Sequence, residues 1–274
     1  MLESRGEEDT QAQAAPLTVE QAIANLKSED LSLRYYAAWW LGRFRVSQPA
    51  AIEALIAALE DEDYRTELGD YPLRRNAARA LGKLGDKRAV PGLIRSLDCS
   101  DYYVREAAAQ SLEMLRDSAA IPALIKLLDG GVAAAIQVPG RPHLTQPYEA
   151  VLEALGTLQA LSAVHLIEPF IEHPLPRIQY AALRAMYQLT GDDAYGQRLM
   201  AGLSSNDLKV RRGVLADLGA IGYLPSSDAI AQCAVENSFK LLSLKGLLEH
   251  QLQPEQTQLS DAAIKIMNLM DGLL

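Results

Sequence analysis

Side chains that can exchange protons, bind anions or contact a flat ligand recur about four residues apart in four segments. These are Tyr35, Tyr36, Trp39 and Arg43; Arg75, Arg79 and Lys83; Glu149 and Glu153; and Tyr180 and Arg184. This spacing places side chains on one face of a helix. Carboxylates transfer protons, guanidinium and ammonium groups pair with anions, and large exposed aromatic side chains mark contact surfaces. The pattern predicts a binding face, although an ordinary solvated helix face explains any single charged residue as readily.

Motifs of the common catalytic and metal sites are missing from the sequence. The four histidines form no pair at positions i and i+4, and no CxxC accompanies them, so no metal site is predicted. There is also no P-loop, no GxSxG and no glycine-rich dinucleotide fingerprint. Cys99 and Cys233 fit no disulfide framework, and the apolar surroundings of Cys233 predict a buried, inert thiol.

The elements that position these residues repeat along the chain. Similar strings occur at 33–42 (LRYYAAWWLG), 73–82 (LRRNAARALG), 104–113 (VREAAAQSLE), 178–187 (IQYAALRAMY) and 210–219 (VRRGVLADLG). Each follows another amphipathic segment, such as AIEALIAALE from Ala51. A repeated helical unit buries its apolar face only against its neighbours. The sequence therefore predicts an all-α, right-handed solenoid of HEAT-like helix-pair repeats.

The repeat length is irregular in two places. First helices that start at 51, 89, 120, 163 and 194 fit a 31-residue unit with two inserts, EDEDYRTELGDYP and GGVAAAIQVPGRPHLTQP. Both inserts lie between the first and second helix of a repeat, where loops tolerate length and often carry function. We expect both to contribute to a site, and Asp70 at the end of the first insert is a candidate proton-transfer group.

The helical register assigns the candidate residues to the second helix of each pair. With Leu33 as origin and 100° per residue, Leu33 and Ala37 lie on a buried arc, and Tyr35 and Trp39 lie opposite. In stacked helix pairs the second helix commonly lines the concave side. The predicted surface is therefore aromatic at one end, basic next to it and acidic in the middle.

Composition limits the organisation and the class of protein. Residues 1–16 have no apolar periodicity, which predicts a disordered acidic tail. The repeats in residues 17–274 predict a single solenoid of about seven helix pairs. A net charge of 26 − 35 = −9 argues against nucleic-acid binding. No segment has 18 unbroken apolar residues and no leader pattern is present, so no membrane association is expected and the predicted location is cytoplasmic.

Two segments carry a resemblance to a known family. The chain resembles the phycobilin lyases of the E/F type, and within them the phycocyanobilin lyase E subunits (CpcE type). The resemblance is carried by LRYYAAWWLGRFR, by LGDYPLRRNAARALGKLGDKRAVPGLI, and by the alternation of 31-residue units with a long insert. The resemblance covers roughly residues 18 to 250. The paired tyrosines, the paired tryptophans and the Gly-Asp-Tyr-Pro insert make it more specific than the repeats alone.

The resemblance implies a function. Family members pair with an F-type subunit, and the heterodimer attaches phycocyanobilin through a thioether to a cysteine of the phycocyanin alpha subunit. Phycocyanobilin is the substrate, and no cofactor, metal or nucleotide is implied.

The binding face suits such a ligand, because aromatic side chains can stack on its rings and cations can pair with its propionates. The expected substrate-binding residues are Tyr35, Tyr36, Trp39, Arg43, Arg75, Arg79, Lys83, Tyr180 and Arg184. The expected proton-transfer residues are Asp70, Glu149 and Glu153.

Two other interpretations stay open. One is a lyase–isomerase subunit of the phycoerythrocyanin type, whose isomerising chemistry is associated with the F-type partner. The other is a non-catalytic HEAT-like scaffold or chaperone for phycobiliprotein assembly that binds protein through the same face.

Overall fold

The computed structural model describes residues 17–252 and 258–274, and all regular secondary structure in them is helical. The α-helices are α1 (Val19–Asn25), α2 (Leu31–Arg43), α3 (Pro49–Ala58), α4 (Pro72–Leu84), α5 (Val90–Ser96), α6 (Tyr102–Leu115), α7 (Ile121–Lys126), α8 (Gly131–Ala134), α9 (Tyr148–Thr157), α10 (Val164–Ile167), α11 (Pro176–Thr190), α12 (Asp193–Ala201), α13 (Leu208–Ile221), α14 (Ser227–Gln232), α15 (Asn237–Gln251) and α16 (Asp261–Asp271). Short 3-10 turns precede or extend several of them. The all-α prediction is confirmed.

The helices form pairs, and the pairs stack in chain order. The second helices of successive pairs, α2, α4, α6, α9, α11, α13 and α15, each contact the next along the stack. The first helices α1, α3, α5, α7, α10, α12 and α14 form the other layer, and α8 lies within the second insert. The last helix, α16, packs against α14 and α15. This is the predicted HEAT-like solenoid, in which each pair buries its apolar face against its neighbours.

Aspartates start several of the second helices. Asp30, Asp101 and Asp207 occupy N-cap positions, and their carboxylates accept hydrogen bonds from backbone amides of the first turn. Asp70 does not take this role, because Tyr71 is the N-cap of α4 and Pro72 is its first residue. Asp70 is therefore not committed to capping the helix that follows it.

Small residues allow the second helices to approach closely. A Cβ atom on Gly42 of α2 would lie 2.8 Å from the Cα of Ala80 in α4. A Cβ atom on Gly219 of α13 would lie 2.9 Å from the Cα of Ser243 in α15. Helix contact thus explains the glycine that ends the strings at 33–42 and 210–219.

The core consists of two clusters of buried apolar residues that meet along α11. One runs from Ala22 to Leu189 and the other from Leu183 to Ile266. Leu33 differs from its predicted burial, since its side chain is 40% exposed. It lies in the first turn of α2, in the first pair of the described stack, where fewer neighbouring helices are available to cover it.

The two inserts touch each other. Arg141 of the second insert donates from Nη2 to the carbonyl oxygen of Leu68 in the first at 2.8 Å, and its Nη1 lies 3.7 Å from Asp70 Oδ1. Arg105 of α6 anchors the second insert by donating to the carbonyl oxygen of Thr145 at 2.9 Å and to the side chain of Gln146 at 3.0 Å. Both inserts are therefore ordered parts of one surface.

Residues 1–16, the predicted acidic tail, lie outside the described residues, and the single-solenoid assignment of 17–274 stays a prediction. In the described part of the chain, no helix combines the length and apolar character needed to cross a membrane.

Candidate functional site

The aromatic end of the predicted binding face lies on α2. Tyr35, Tyr36 and Trp39 are 37%, 47% and 44% exposed, and the Tyr36 and Trp39 rings lie 5.5 Å apart. Trp40 is half-buried and packs against Phe44 at 5.0 Å. Adjacent helix positions cannot share one direction, so one tryptophan contributes to packing and the other to the surface. Arg43, also on α2, is exposed.

The basic segment lies on α4, the next second helix. Arg79 and Lys83 are exposed, whereas Arg75 is half-buried with its guanidinium 5.7 Å from the centre of the Tyr103 ring. The Nε atom of Arg75 is buried without a hydrogen-bond acceptor among the described residues. This cation is held against an aromatic side chain of α6, which the sequence did not predict.

A buried group of charges occupies the middle of the second-helix layer. Arg184 of α11 reaches three carboxylates on three other second helices, Glu113 of α6, Glu153 of α9 and Asp217 of α13, at 2.6, 3.5 and 3.5 Å. The side chains of this Arg184 cluster are only 11–20% exposed. Thr157 donates its hydroxyl hydrogen to Glu113 at 2.8 Å. One guanidinium therefore faces three acids, and the four side chains come from four successive second helices.

The charge imbalance shifts the pKa values of two of these acids. Burial raises the pKa of Glu153 to about 8, and the nearby charges of Asp217 and Glu113 add to the effect while Arg184 opposes it. Burial likewise raises the pKa of Asp217 to about 6 against the opposing effect of Arg184. The upward shift favours the protonated form of the Glu153 carboxyl group.

Two cavities border members of the Arg184 cluster. A cavity of about 740 Å³ is lined by Glu113 and Arg184 and continues to the exposed apolar side chains of Phe239 and Leu242 on α15. A cavity of about 280 Å³ is lined by Asp217, Glu149 and other residues near the start of α11. Glu113 and Arg184 thus border one open volume and Asp217 borders the other, whereas Glu153 lines neither.

Three predicted residues have surroundings that limit their roles. Glu149 lines the 280 Å³ cavity, and burial raises its pKa. Tyr180 lines the same cavity with its ring close to Gly202. Asp70 lines a different cavity, of about 320 Å³, between the two inserts and close to Arg141. The structure places Glu149 and Glu153 on one helix but assigns Asp70 to a separate surface.

A further cleft of about 510 Å³ lies between the second insert and the start of α11. His143, His173 and Arg177 contribute to its lining. The His143 ring stacks on the Tyr102 ring, with 4.2 Å between the ring centres and an interplanar angle of 10°. It meets the Tyr103 ring edge-on, with 5.7 Å between the ring centres. Stacking thus fixes the insert histidine over the first turn of α6.

Two members of the Arg184 cluster, Glu113 and Asp217, are not among the residues predicted from the sequence, although helical spacing contains a signal for both. Glu113 lies seven residues after Glu106 on α6, so the two side chains point in nearly the same direction around that helix. Asp217 lies four residues after Gly213 on α13, and both line the smaller cavity.

No metal-binding group emerges from residues 17–252 and 258–274, since no three His, Cys, Asp or Glu side chains come together there in a suitable arrangement. Cys233 is buried, with its sulfur 3.7 Å from the carbonyl oxygen of Leu203, and Cys99 is half-buried.

Comparison with known proteins identifies the family. The PBS lyase HEAT-like repeat matches residues 33–61 and a HEAT repeat model matches residues 66–137. The chain is 66% identical over 276 residues to the phycocyanobilin lyase subunit alpha of Nostoc sp. PCC 7120, with all of both chains covered. It belongs to the phycocyanobilin lyase alpha-subunit family. The subunit alpha of Synechocystis sp. PCC 6803 is 57% identical over 262 residues, covering 94% of this chain and 96% of the relative.

The fold of the phycocyanobilin lyase alpha-subunit family is also seen in a solved structure. The complex of CpcE and CpcF of phycocyanin lyase from Nostoc sp. PCC 7120 contains a chain that matches with a TM-score of 0.91 and 66% identity, covering 99% of this chain and 100% of that one. The bilin biosynthesis protein PecE of Nostoc sp. PCC 7120 is more distant, with 43% identity over 258 residues that cover 94% of this chain and 96% of PecE. The predicted resemblance to the E-type lyase subunits is confirmed.

Proposed function

We propose that this chain is one subunit of a heterodimeric bilin lyase, which binds phycocyanobilin and promotes its thioether attachment to a cysteine of the phycocyanin alpha subunit. The observation that carries the proposal is the end-to-end similarity to a phycocyanobilin lyase subunit alpha. The partner is an F-type subunit, as in the solved complex of CpcE with CpcF. We place the reaction in the cytoplasm, without nucleic acid or membrane as a partner.

The proposed reaction is an addition in which atoms and electrons balance. The sulfur of the acceptor cysteine bonds to the exocyclic carbon of the A-ring ethylidene group, and a proton is added to the ring carbon of the former double bond. Nothing is oxidised or reduced overall, so we propose that no cofactor takes part. The enzyme's contribution is to hold the two reactants in one orientation and to control the proton, since fixed orientation alone accelerates such reactions by many orders of magnitude.

The nucleophile comes from the acceptor protein in this proposal. Cys233 is buried in the core and Cys99 is half-buried in the turn before α6, so neither presents an open thiol to a large ligand. The second-helix face supplies the binding groups instead. Trp39 and its neighbouring tyrosines contact the rings, and Arg79 and Lys83, which are exposed, pair with propionates.

Proton control is assigned to the acidic part of the same face. Burial raises the pKa of Glu153 to about 8, which favours its protonated form, and Glu149 lies one turn earlier on the same helix with its pKa also raised by burial. Asp70 lies on the insert surface and serves binding there rather than proton transfer beside Glu153. Arg184 orients the acids through its ion pairs instead of meeting propionates.

A lyase–isomerase function of the PecE type is less well supported. The relative named phycocyanobilin lyase subunit alpha shares 66% identity with this chain, whereas PecE shares 43%. In the alternative function as a non-catalytic scaffold, the same exposed aromatic surface would bind protein, and a rate measurement distinguishes this function from that of a lyase.

The test combines the purified chain, its F-type partner, phycocyanobilin and the apo-alpha subunit of phycocyanin. We expect a covalent adduct at the acceptor cysteine, detected by zinc-enhanced fluorescence in a denaturing gel, to form faster than in reactions lacking either subunit. An adduct carrying phycoviolobilin would instead support the isomerising type. A rate equal to spontaneous addition, with both subunits folded and associated, would contradict the lyase proposal and support the scaffold.

A further inference from the structure

The 510 Å³ cleft between the second insert and the start of α11, here called the insert cleft, is basic and apolar. The described residues that line it include Arg177, His143 and His173 but no aspartate or glutamate. Arg177 is exposed and forms no ion pair with a described residue. Apolar side chains such as Val132 and Leu144 form much of the remaining wall. A cation without a partner beside apolar walls suits a ligand that joins a carboxylate to an apolar body.

A buried hydrogen-bond donor in the same wall lacks an acceptor. His173 is only 4% exposed, and its Nδ1 atom accepts the backbone N–H of Leu175 at 3.1 Å. The neutral ring therefore carries its hydrogen on Nε2. No described residue accepts that hydrogen, whereas buried donors normally have a partner. A ligand oxygen in the insert cleft would supply the missing acceptor.

The histidines that line the insert cleft are held in place by the protein itself. The His143 ring stacks on Tyr102, and its Nδ1 atom donates to the carbonyl oxygen of Leu144 at 2.8 Å. The His173 ring lies nearly parallel to the Phe170 ring, with 6.3 Å between the ring centres. Side chains that are already ordered lose little freedom when a ligand binds, which favours affinity.

The insert cleft adjoins two other cavities. It shares Leu175 and Arg177 with the 280 Å³ cavity that is lined by Glu149 and Tyr180. It shares His143 with the 320 Å³ cavity between the inserts. Three open volumes therefore follow one another near the starts of α6, α11 and α13, and an elongated ligand can extend from one into the next.

A further unpaired cation lies within electrostatic range of the insert cleft. Burial raises the pKa of Glu106 on α6, and the charges of Arg79 and Arg177 both oppose that rise. Arg79 of α4 and Arg177 of α11 thus act on the same carboxyl group, although α6 and α9 separate their helices in the stack. A ligand with two carboxylates can meet one of these arginines with each.

We propose that the insert cleft binds one propionate of phycocyanobilin, through the guanidinium of Arg177 and the Nε2 hydrogen of His173. This inference rests on the proposed function and assigns a place to one charged group of that substrate. Phycocyanobilin carries two propionates, and the second is left for Arg79. The second insert thereby becomes part of the substrate site, as loops between repeats often do.

The test compares phycocyanobilin with its dimethyl ester, in which both propionates are uncharged. Each is titrated into the complex of the chain with its F-type partner, without acceptor protein and in a buffer free of phosphate and sulfate, and the change in bilin absorption reports binding. We expect Arg177→Gln to lower the affinity for the free acid about tenfold or more and that for the ester less than about twofold, because only a carboxylate forms charge-assisted hydrogen bonds. His173→Asn should behave in the same way, since asparagine can still accept the Leu175 amide hydrogen but lacks the Nε2 donor.

The matched control is Arg88→Gln, which removes an exposed arginine that pairs with Asp86 in the turn before α5. It should leave both affinities unchanged. In Arg177→Gln, equal losses for the acid and the ester, or no loss for either, would overturn the inference while leaving the lyase proposal intact. Unchanged bilin affinity with slower adduct formation on addition of the apo-alpha subunit would also overturn it, because the cleft would then serve the acceptor protein.

The folding of the variants is checked by circular dichroism. If His173→Asn does not fold, Arg177→Gln decides alone, because the exposed Arg177 has no described ion pair to lose. Failure of the unaltered complex to bind either form of the bilin would refute the proposed function itself.

Discussion

Replacing Arg184 by methionine tests whether the buried charge cluster is held together as the structure indicates. The guanidinium is the only cation within 4 Å of Glu113, Glu153 and Asp217 in the described part of the chain. Methionine keeps an unbranched, though shorter, side chain on α11 and removes the charge. Three acids from three helices would then face one another with no compensating group.

The magnitude follows from the burial of the pairs. Removing one partner of a buried ion pair typically costs about 3–5 kcal/mol, because the remaining charge stays buried and unpaired. We expect a loss in this range at pH 8, where ionisation is most complete. At pH 5 the loss should be much smaller, because Glu153 and Asp217, whose pKa values are already raised to about 8 and about 6, take up protons and cease to repel.

The assay is urea unfolding followed by circular dichroism at pH 5 and pH 8, at equal ionic strength. Arg198→Met is the matched control, because Arg198 pairs with Glu172 at 2.9 Å in an exposed position and should cost less than about 1 kcal/mol at either pH. A loss for Arg184→Met as small as that of the control would refute the proposed role of burial. A large loss that is equal at the two pH values would refute the electrostatic explanation.

Three further changes have definite expected outcomes. For Glu153→Gln, the unfolding free energy should decline less between pH 4.5 and pH 8 than that of the unaltered protein. Because the pKa of Glu153 is higher in the folded than in the unfolded state, this group stabilises the fold at pH values below its ordinary pKa, and that stability is lost as pH rises to about 8. An identical pH dependence of the unfolding free energy in the two proteins would contradict this. In thermal or urea unfolding, Gly42→Ala should destabilise the protein by about 1–3 kcal/mol, since the added Cβ would lie 2.8 Å from the Cα of Ala80. The control Gly213→Ala should stabilise it by about 0.5–1 kcal/mol, because a Cβ there would meet nothing within 4 Å and alanine favours the helix. The Gly42 explanation fails if both substitutions behave alike. Arg141→Ala should speed amide hydrogen exchange in both inserts, because the variant lacks the contacts to Leu68 and Asp70. Exchange is measured by mass spectrometry, and an unchanged rate in the first insert would show that Arg141 does not order that insert.

Much of the fold was predictable, because repeats carry their own register. The recurrence of the similar strings predicted the second helices, and Asp30, Asp101 and Asp207 cap three of them in the structure. Asp70 also lies three residues before its repeated string, but it follows an insert, and there Tyr71 is the N-cap while Asp70 lines the cavity between the inserts. A local pattern cannot report how an insert redirects the chain before the helix it precedes.

The candidate site was predictable only in part. The sequence placed Trp39, Arg79 and Glu153 on second helices, where the structure also has them, with Trp39 and Arg79 exposed and Glu153 half-buried. It did not predict that Arg75 packs on Tyr103, nor that His143 stacks on Tyr102. These contacts join residues of different repeats, and their formation depends on how closely adjacent helices approach.

The sequence by itself determined the repeated helix pairs, the helix that carries each candidate residue and the resemblance to the phycobilin lyases, because a period of 3.6 residues fixes the direction of every side chain around its own helix. Only the tertiary structure decided that Arg184 meets Glu113, 71 residues earlier in the chain, together with Glu153 and Asp217. Helical periodicity fixes the direction of a side chain around its own helix axis, but it does not fix the distance or the tilt between the axes of two helices. Ion pairing and the pKa shifts that burial causes depend on that distance and tilt.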